Sequence, residues 1–72
     1  MHKPISGKKT IRTLCREFGF SIVSQKGSHV KLSNTESGAI TIVPLHKELA
    51  LGTLKGALEL ARVDEQEFLS CL

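Results

Sequence analysis

Aromatic residues are nearly missing from this chain: there is no tryptophan, no tyrosine, and only three phenylalanines in 72 residues. Proteins that bind single-stranded nucleic acid often stack its bases on exposed aromatic rings. Phe18, Phe20 and Phe68 all fall at core-like positions, so selective reading of bases by stacking is not supported. Cysteine is equally scarce. Cys15 and Cys71 lie far apart and in no metal-like spacing, and Cys15 falls on the apolar stripe of a helix, where a reduced thiol behaves as a small hydrophobe. Both read as free thiols of a reducing cytoplasm, and the sequence leaves a disulfide between them open. No apolar run approaches the length that crosses a bilayer. The segment Met1-His2-Lys3-Pro4-Ile5 lacks the apolar run of a signal peptide. His2, His29 and His46 have no short pairing and no carboxylate spaced beside them, so no metal site is expected. Seventy-two residues allow one small domain, without room for a cofactor domain or a deep cavity, and no cofactor is expected.

What the chain does have is charge, unevenly placed. The formal net charge of +3 conceals a basic half, residues 1–32, with seven Lys/Arg against Glu17 alone. Residues 33–72 carry three Lys/Arg against six acids. A basic half suits a polyanionic partner such as RNA or DNA, and a merely solubilising helix face explains it equally well.

Hydrophobic spacing gives the elements. Residues 1–5 read as a loose arm. Ser6 is placed to cap a helix whose apolar positions, Ile11, Leu14, Cys15 and Phe18, recur at i, i+3, i+4 and i+7, and Gly19 ends it. A first strand follows over residues 20–25, with Phe20 and Ile22 on one side. Lys26-Gly27 turns the chain into a second strand from Ser28 to Ser33. The polar run Asn34-Thr35-Glu36-Ser37-Gly38 reads as a hairpin loop, and a third strand over residues 39–43 stops at Pro44. A second helix is expected from Gly52 or Thr53 to Arg62, on the stripe Leu54, Ala57, Leu58 and Ala61. Asp64 and Glu67 form a capping box for a short last helix, with Val63 and Phe68 as its hydrophobic staple. Each long helix has a single apolar stripe, so both should pack on one face of a three-stranded antiparallel sheet. The expected fold is an α+β two-layer sandwich in the order α-β-β-β-α plus a short C-terminal helix.

The best candidate for chemistry lies at the mouth of the second strand. In Ser28-His29-Val30-Lys31-Leu32-Ser33, alternation puts Val30 and Leu32 on one side and His29, Lys31 and Ser33 on the other. With the apolar pair buried under helices, a histidine and a lysine stand together on the open face. Imidazole titrates near neutrality, and a close lysine can tune it or hold an anion beside it. The blander reading is a polar histidine on a solvated sheet, which holds for most surface histidines.

The hinge residues shift that balance. Gly19-Phe20, Gln25-Lys26-Gly27-Ser28-His29, Val43-Pro44-Leu45-His46 and Gly52-Thr53-Leu54, in this order and spacing, resemble the HicA toxin family, over a stretch from about Ser6 to Phe68. The resemblance implies a double-stranded-RNA-binding-like (dsRBD-like) fold and a small toxin of a toxin–antitoxin pair that cuts mRNA without a metal ion. It also implies silencing by a HicB-like antitoxin and a catalytic role for the Gly-Ser-His histidine, His29. Many relatives lack a counterpart of the arm over residues 1–5. Chemically, RNA is cut by its own 2′-hydroxyl when a base removes that proton and an acid protonates the leaving oxygen. Lys26 and Lys31 are placed to offset charge on the phosphate, Ser28 and the Gly27 amide to donate hydrogen bonds, and Gly27 to let a phosphate approach the backbone. His46 reads as substrate-binding or exposed rather than catalytic, which leaves the second proton-transfer role without an owner. His2 reads as incidental. Two rivals remain: a non-catalytic RNA-binding module of the same fold, which binds by shape and backbone contacts, and a protein-interaction module that accepts a partner strand at a sheet edge.

Overall fold

Ser6 starts the first helix as expected. In the computed structural model, which describes residues 4–72, the Ser6 hydroxyl accepts a hydrogen bond from the Lys9 amide at 3.0 Å, and α1 runs over Gly7–Glu17. Its inward face carries Gly7, Thr10, Ile11, Thr13 and Leu14. Gly19, at φ +75°, turns the chain into the sheet, a conformation that costs a residue with a side chain roughly 1–2 kcal/mol. Strands β1 (Phe20–Lys26), β2 (His29–Asn34) and β3 (Ile40–Pro44) then form an antiparallel sheet in the order β1-β2-β3. Two further helices follow, α2 (Leu51–Ala61) and α3 (Glu65–Ser70). The fold is the expected dsRBD-like α+β arrangement, with the helical layer on one side of the sheet.

Burial alternates along β2 and β3. Val30 and Leu32 of β2 and Thr41 and Val43 of β3 face the helices, while His29, Lys31, Ile40 and Ile42 face outward. Leu14, Leu32, Val43, Leu58 and Phe68 are the best-buried apolar side chains, and the Phe18 ring stacks against Phe68 with centroids 6.3 Å apart. One polar bond crosses this core: the buried Thr41 hydroxyl donates to the Ala57 carbonyl of α2 at 2.7 Å. Cys15 is half-buried and packs on the core, and burial pushes its thiol pKa above the ordinary value. Both cysteines are free thiols.

Several boundaries shift from the sequence reading; β2 and β3 each begin and end one residue later than expected, so that β3 takes in Pro44. β1 runs one residue further, to Lys26, and Ile22, expected to share the side of buried Phe20, is 58% exposed. β1 is an edge strand that the helices cover only at Phe20, so Ile22, although it shares the inward side opposite buried Leu32, lies beyond the reach of the helical layer. The pairing shifts register only after it, between Ile22 and Ser24, leaving Val23 as an extra residue. The second helix begins at Leu51 and ends at Ala61, with Arg62 in the left-handed conformation at φ 59°. Its N-cap is Ala50, whose side chain can make no capping bond, so the usual polar marker of a helix start is missing. α3 starts as read, with the Asp64 carboxylate accepting from the Glu67 amide at 3.1 Å. Of the arm over residues 1–5, Met1 to Lys3, including His2, lie outside the described residues. At its inner end Ile5 is half-buried against the core, and its carbonyl accepts from the Leu49 amide at 2.7 Å.

The two layers meet most tightly at Gly7. Its amide donates to the His46 carbonyl at 2.8 Å, and a methyl group in place of its hydrogen would run into the Pro44 carbonyl. Gly56, by contrast, faces open space inside α2. Opposite signs are therefore expected from one kind of substitution. Gly7→Ala should destabilise by about 1–3 kcal/mol through overpacking, although alanine favours helix. Gly56→Ala should stabilise by up to about 1 kcal/mol. Urea unfolding of both variants, beside Leu14→Ala at a cost of roughly 2–5 kcal/mol, checks the assignment; equal effects at the two glycines would contradict it.

Candidate functional site

The site grows out of a two-residue turn. Gly27 takes φ +60° at the first turn position, where a side chain would be strained, and this brings Lys26 and His29 directly opposite each other as the last pair of the β1–β2 hairpin. The Gln25 side-chain amide donates to the Gly27 carbonyl at 2.9 Å and braces the turn from inside the same hairpin. From the other side, the Leu45 amide donates to the Ser28 carbonyl at 2.6 Å, and Pro44 is the cross-strand partner of His29 on β3. His29 is thus held between two strands, with its backbone flanked by a tight turn and a buried proline. Its side chain is exposed on the face away from the helices.

Cross-strand register decides what stands around it. Directly opposed residues share a face, with Cβ atoms about 4.5–5.5 Å apart. Lys26 opposes His29; Ser24, Lys31 and Ile42 form the next row on the same face, one residue on each strand. Together these five side chains line an open concavity of about 480 Å³. It contains one imidazole, two ammonium groups, one hydroxyl and an apolar wall. Such a cup suits an anionic group that has an apolar part beside it.

The residues singled out from sequence are distributed as follows. His29, Lys26 and Lys31 come together in the concavity. Gly27 and Ser28 form the turn at its rim and are not among the side chains lining it. His46 is exposed on the segment after β3, outside the lining set, and its carbonyl anchors the N-terminus of α1. Sequence reasoning missed Ser24 and Ile42. Ile42 belongs to a strand apolar on both faces, so alternation alone does not say which isoleucines face out. Ser24 owes its side of the sheet to the irregularity at Val23, which no residue type announces.

Because His29 is exposed and its strand is held by its neighbours, removing the imidazole should leave the fold intact. His29→Ala is expected to keep the thermal midpoint within a few degrees. Gly27→Ala should lower stability by roughly 1–2 kcal/mol through its positive φ. Thermal unfolding followed by circular dichroism distinguishes them. A His29→Ala protein that unfolds would make the histidine structural.

Comparison with known proteins places the geometry in context. The family model described as the HicA toxin of bacterial toxin-antitoxin matches residues 7–63, spanning α1 through the end of α2 and including the turn, the concavity and the Pro44–His46 corner. No curated protein matches the chain. Among the described residues, no helix is long and apolar enough to cross a membrane.

Proposed function

This chain belongs to the HicA toxin family, and on that premise we propose that it is the toxin of a toxin–antitoxin pair, acting on cytoplasmic mRNA as a metal-independent endoribonuclease with His29 as its catalytic residue. The observation that supports this reading is the placement of His29 opposite Lys26 and beside Lys31 in one open concavity. In the proposed reaction, a base takes the proton of a 2′-hydroxyl, and that oxygen attacks the adjacent phosphorus. The bond from phosphorus to the 5′-oxygen breaks, and an acid protonates the departing oxygen. The products are a 2′,3′-cyclic phosphate and a free 5′-hydroxyl.

His29 performs one of the two proton transfers. Lys26 and Lys31 offset the negative charge that builds on the phosphate oxygens, and Gly27 lets the backbone at the rim approach a phosphate. Ser24 and Ile42 complete the cup, the hydroxyl as a donor or acceptor and the isoleucine as a wall for ribose or base. His46, exposed outside the cup, is assigned to substrate binding at the rim. An open sheet face admits a strand of RNA without requiring a pocket for any particular base. The family implies an antitoxin partner; a HicB-like protein that covers the concavity would silence the toxin by excluding RNA.

The purified chain should therefore cut a single-stranded transcript, and His29→Ala should abolish the cutting without unfolding. Activity should survive EDTA. A single 2′-deoxy substitution at the cut bond should stop cleavage there while leaving binding nearly unchanged, and end-group analysis should find the cyclic phosphate and the 5′-hydroxyl. A 5′-phosphate product, or activity abolished by chelation, would show that water or a metal supplies the nucleophile. If His29→Ala binds RNA as the parent does and neither cuts, the chain is a binding module. Association with the antitoxin should slow as salt is added if its binding surface is acidic, measured by stopped-flow mixing; salt-independent association would argue against that charge match.

A further inference from the structure

A second basic feature lies on the other layer of the molecule. Lys9, Arg12 and Arg16 occupy exposed positions of α1 at i, i+3 and i+7, so they rise along one side of the helix. They line a groove of about 300 Å³, with Thr13 between them, Glu17 at its far end, and Cys71 and Leu72 after α3 as the opposite wall. Arg12 and Arg16 lie one turn apart, about 6 Å along the axis, comparable to the spacing of successive phosphates in a nucleic-acid strand. Lys9 lies toward the helix start, so the row begins near the end of the sheet that carries His29.

That continuity is built into the fold. The N-terminus of α1 is bonded to the Pro44–His46 corner through the Gly7 amide and the His46 carbonyl at 2.8 Å. The same corner is bonded to the His29 turn through the Leu45 amide and the Ser28 carbonyl at 2.6 Å. Lys47, just after this corner, and Lys8, in the first turn of α1, are both exposed. We propose that the groove along α1 is a second phosphate-binding track, which holds the part of an RNA that has passed around the sheet end from the cleavage site. The occupant is a polyanion rather than a protein because the row offers three cationic side chains against one acidic side chain, Glu17, and guanidinium groups pair readily with phosphate oxygens. This rests on the nuclease reading and extends it: the enzyme should favour long substrates over minimal ones, and the preference should reside in α1.

The test separates the two claims. Binding is measured in the His29→Ala background, so that nothing is cut, using a long transcript and a minimal oligonucleotide that spans only the cut bond. Arg12→Gln with Arg16→Gln should weaken binding of the long RNA by on the order of tenfold at low salt, and flatten its log–log salt slope by about 0.7 for each phosphate no longer neutralised. Binding of the minimal oligonucleotide should not change. Arg12→Lys with Arg16→Lys should retain most of the affinity. With His29 present, the glutamine pair should raise KM for the long RNA and leave kcat on the minimal one unchanged. Equal weakening on both lengths would mean a general field rather than a track. An unchanged salt slope would remove the groove from RNA binding altogether, as would an effect confined to antitoxin binding. If the parent chain cuts no RNA, the nuclease reading falls, and the slope comparison still decides whether the groove binds phosphates.

Discussion

The end of the sheet that carries His29 is tied to the helical layer by one close approach, that of the first turn of α1 to the end of β3. Gly7 makes it possible by having no side chain, and the bond from its amide to His46 holds it in place. The approach fixes where the helical layer sits along the sheet. It also ties down the Pro44–His46 segment, which in turn bonds to the turn preceding His29. The opposite end is secured differently. There the Asn34 side chain donates to the Phe18 carbonyl at 2.8 Å and accepts from the Glu36 and Ser37 amides, linking the end of α1 to the β2–β3 loop. A carboxamide does at one end what a missing methyl group does at the other.

Much of this was readable before any coordinates, and the reasons are local. α1 announces itself through Ser6, its apolar stripe and Gly19, because capping and periodicity act within a few residues. The opposite faces of β2 are equally plain, since valine and leucine alternate with histidine and lysine. What was not readable depends on partners distant in sequence. Ile22 reads as core because alternation pairs it with Phe20, yet an edge strand needs covering only where the helical layer reaches it. Thr41 is a polar residue between two isoleucines, yet it is buried and bonded to α2 while both isoleucines are exposed. Here the order of hydrophobicity is the reverse of the order of burial. At the site, Lys26, His29 and Lys31 follow from the hairpin itself, whereas Ser24 and Ile42 require the register of three strands. The role proposed for His29 comes from the family resemblance; alternation gives only its exposure.

Division of labour between the layers explains how so small a chain can pair chemistry with a stable core. Every side chain of the concavity comes from the sheet face that the core does not use, so polar groups are placed there without desolvation. Apolar residues on that face, Ile40 at 49% and Ile42 at 47% exposure, contribute little to folding and are free to meet something else. The cost of ordering the site is met by the same strands that bury Val30, Leu32 and Val43 on the reverse.

The extra residue at Val23 has a consequence for parity. Phe20 and Lys26 are six positions apart, and in a regular strand an even interval puts two side chains on the same face. Their β2 partners, Asn34 and His29, are an odd interval apart and face opposite ways. The bulge reconciles the two counts, letting one strand send Phe20 into the core and Lys26 to the histidine. β1 is therefore constrained in length modulo two. Insertions or deletions of paired residues preserve the arrangement, whereas a single gain or deletion reverses one end of the strand unless another irregularity restores the count. Related chains that differ in length here should do so in steps of two, or carry their bulge elsewhere.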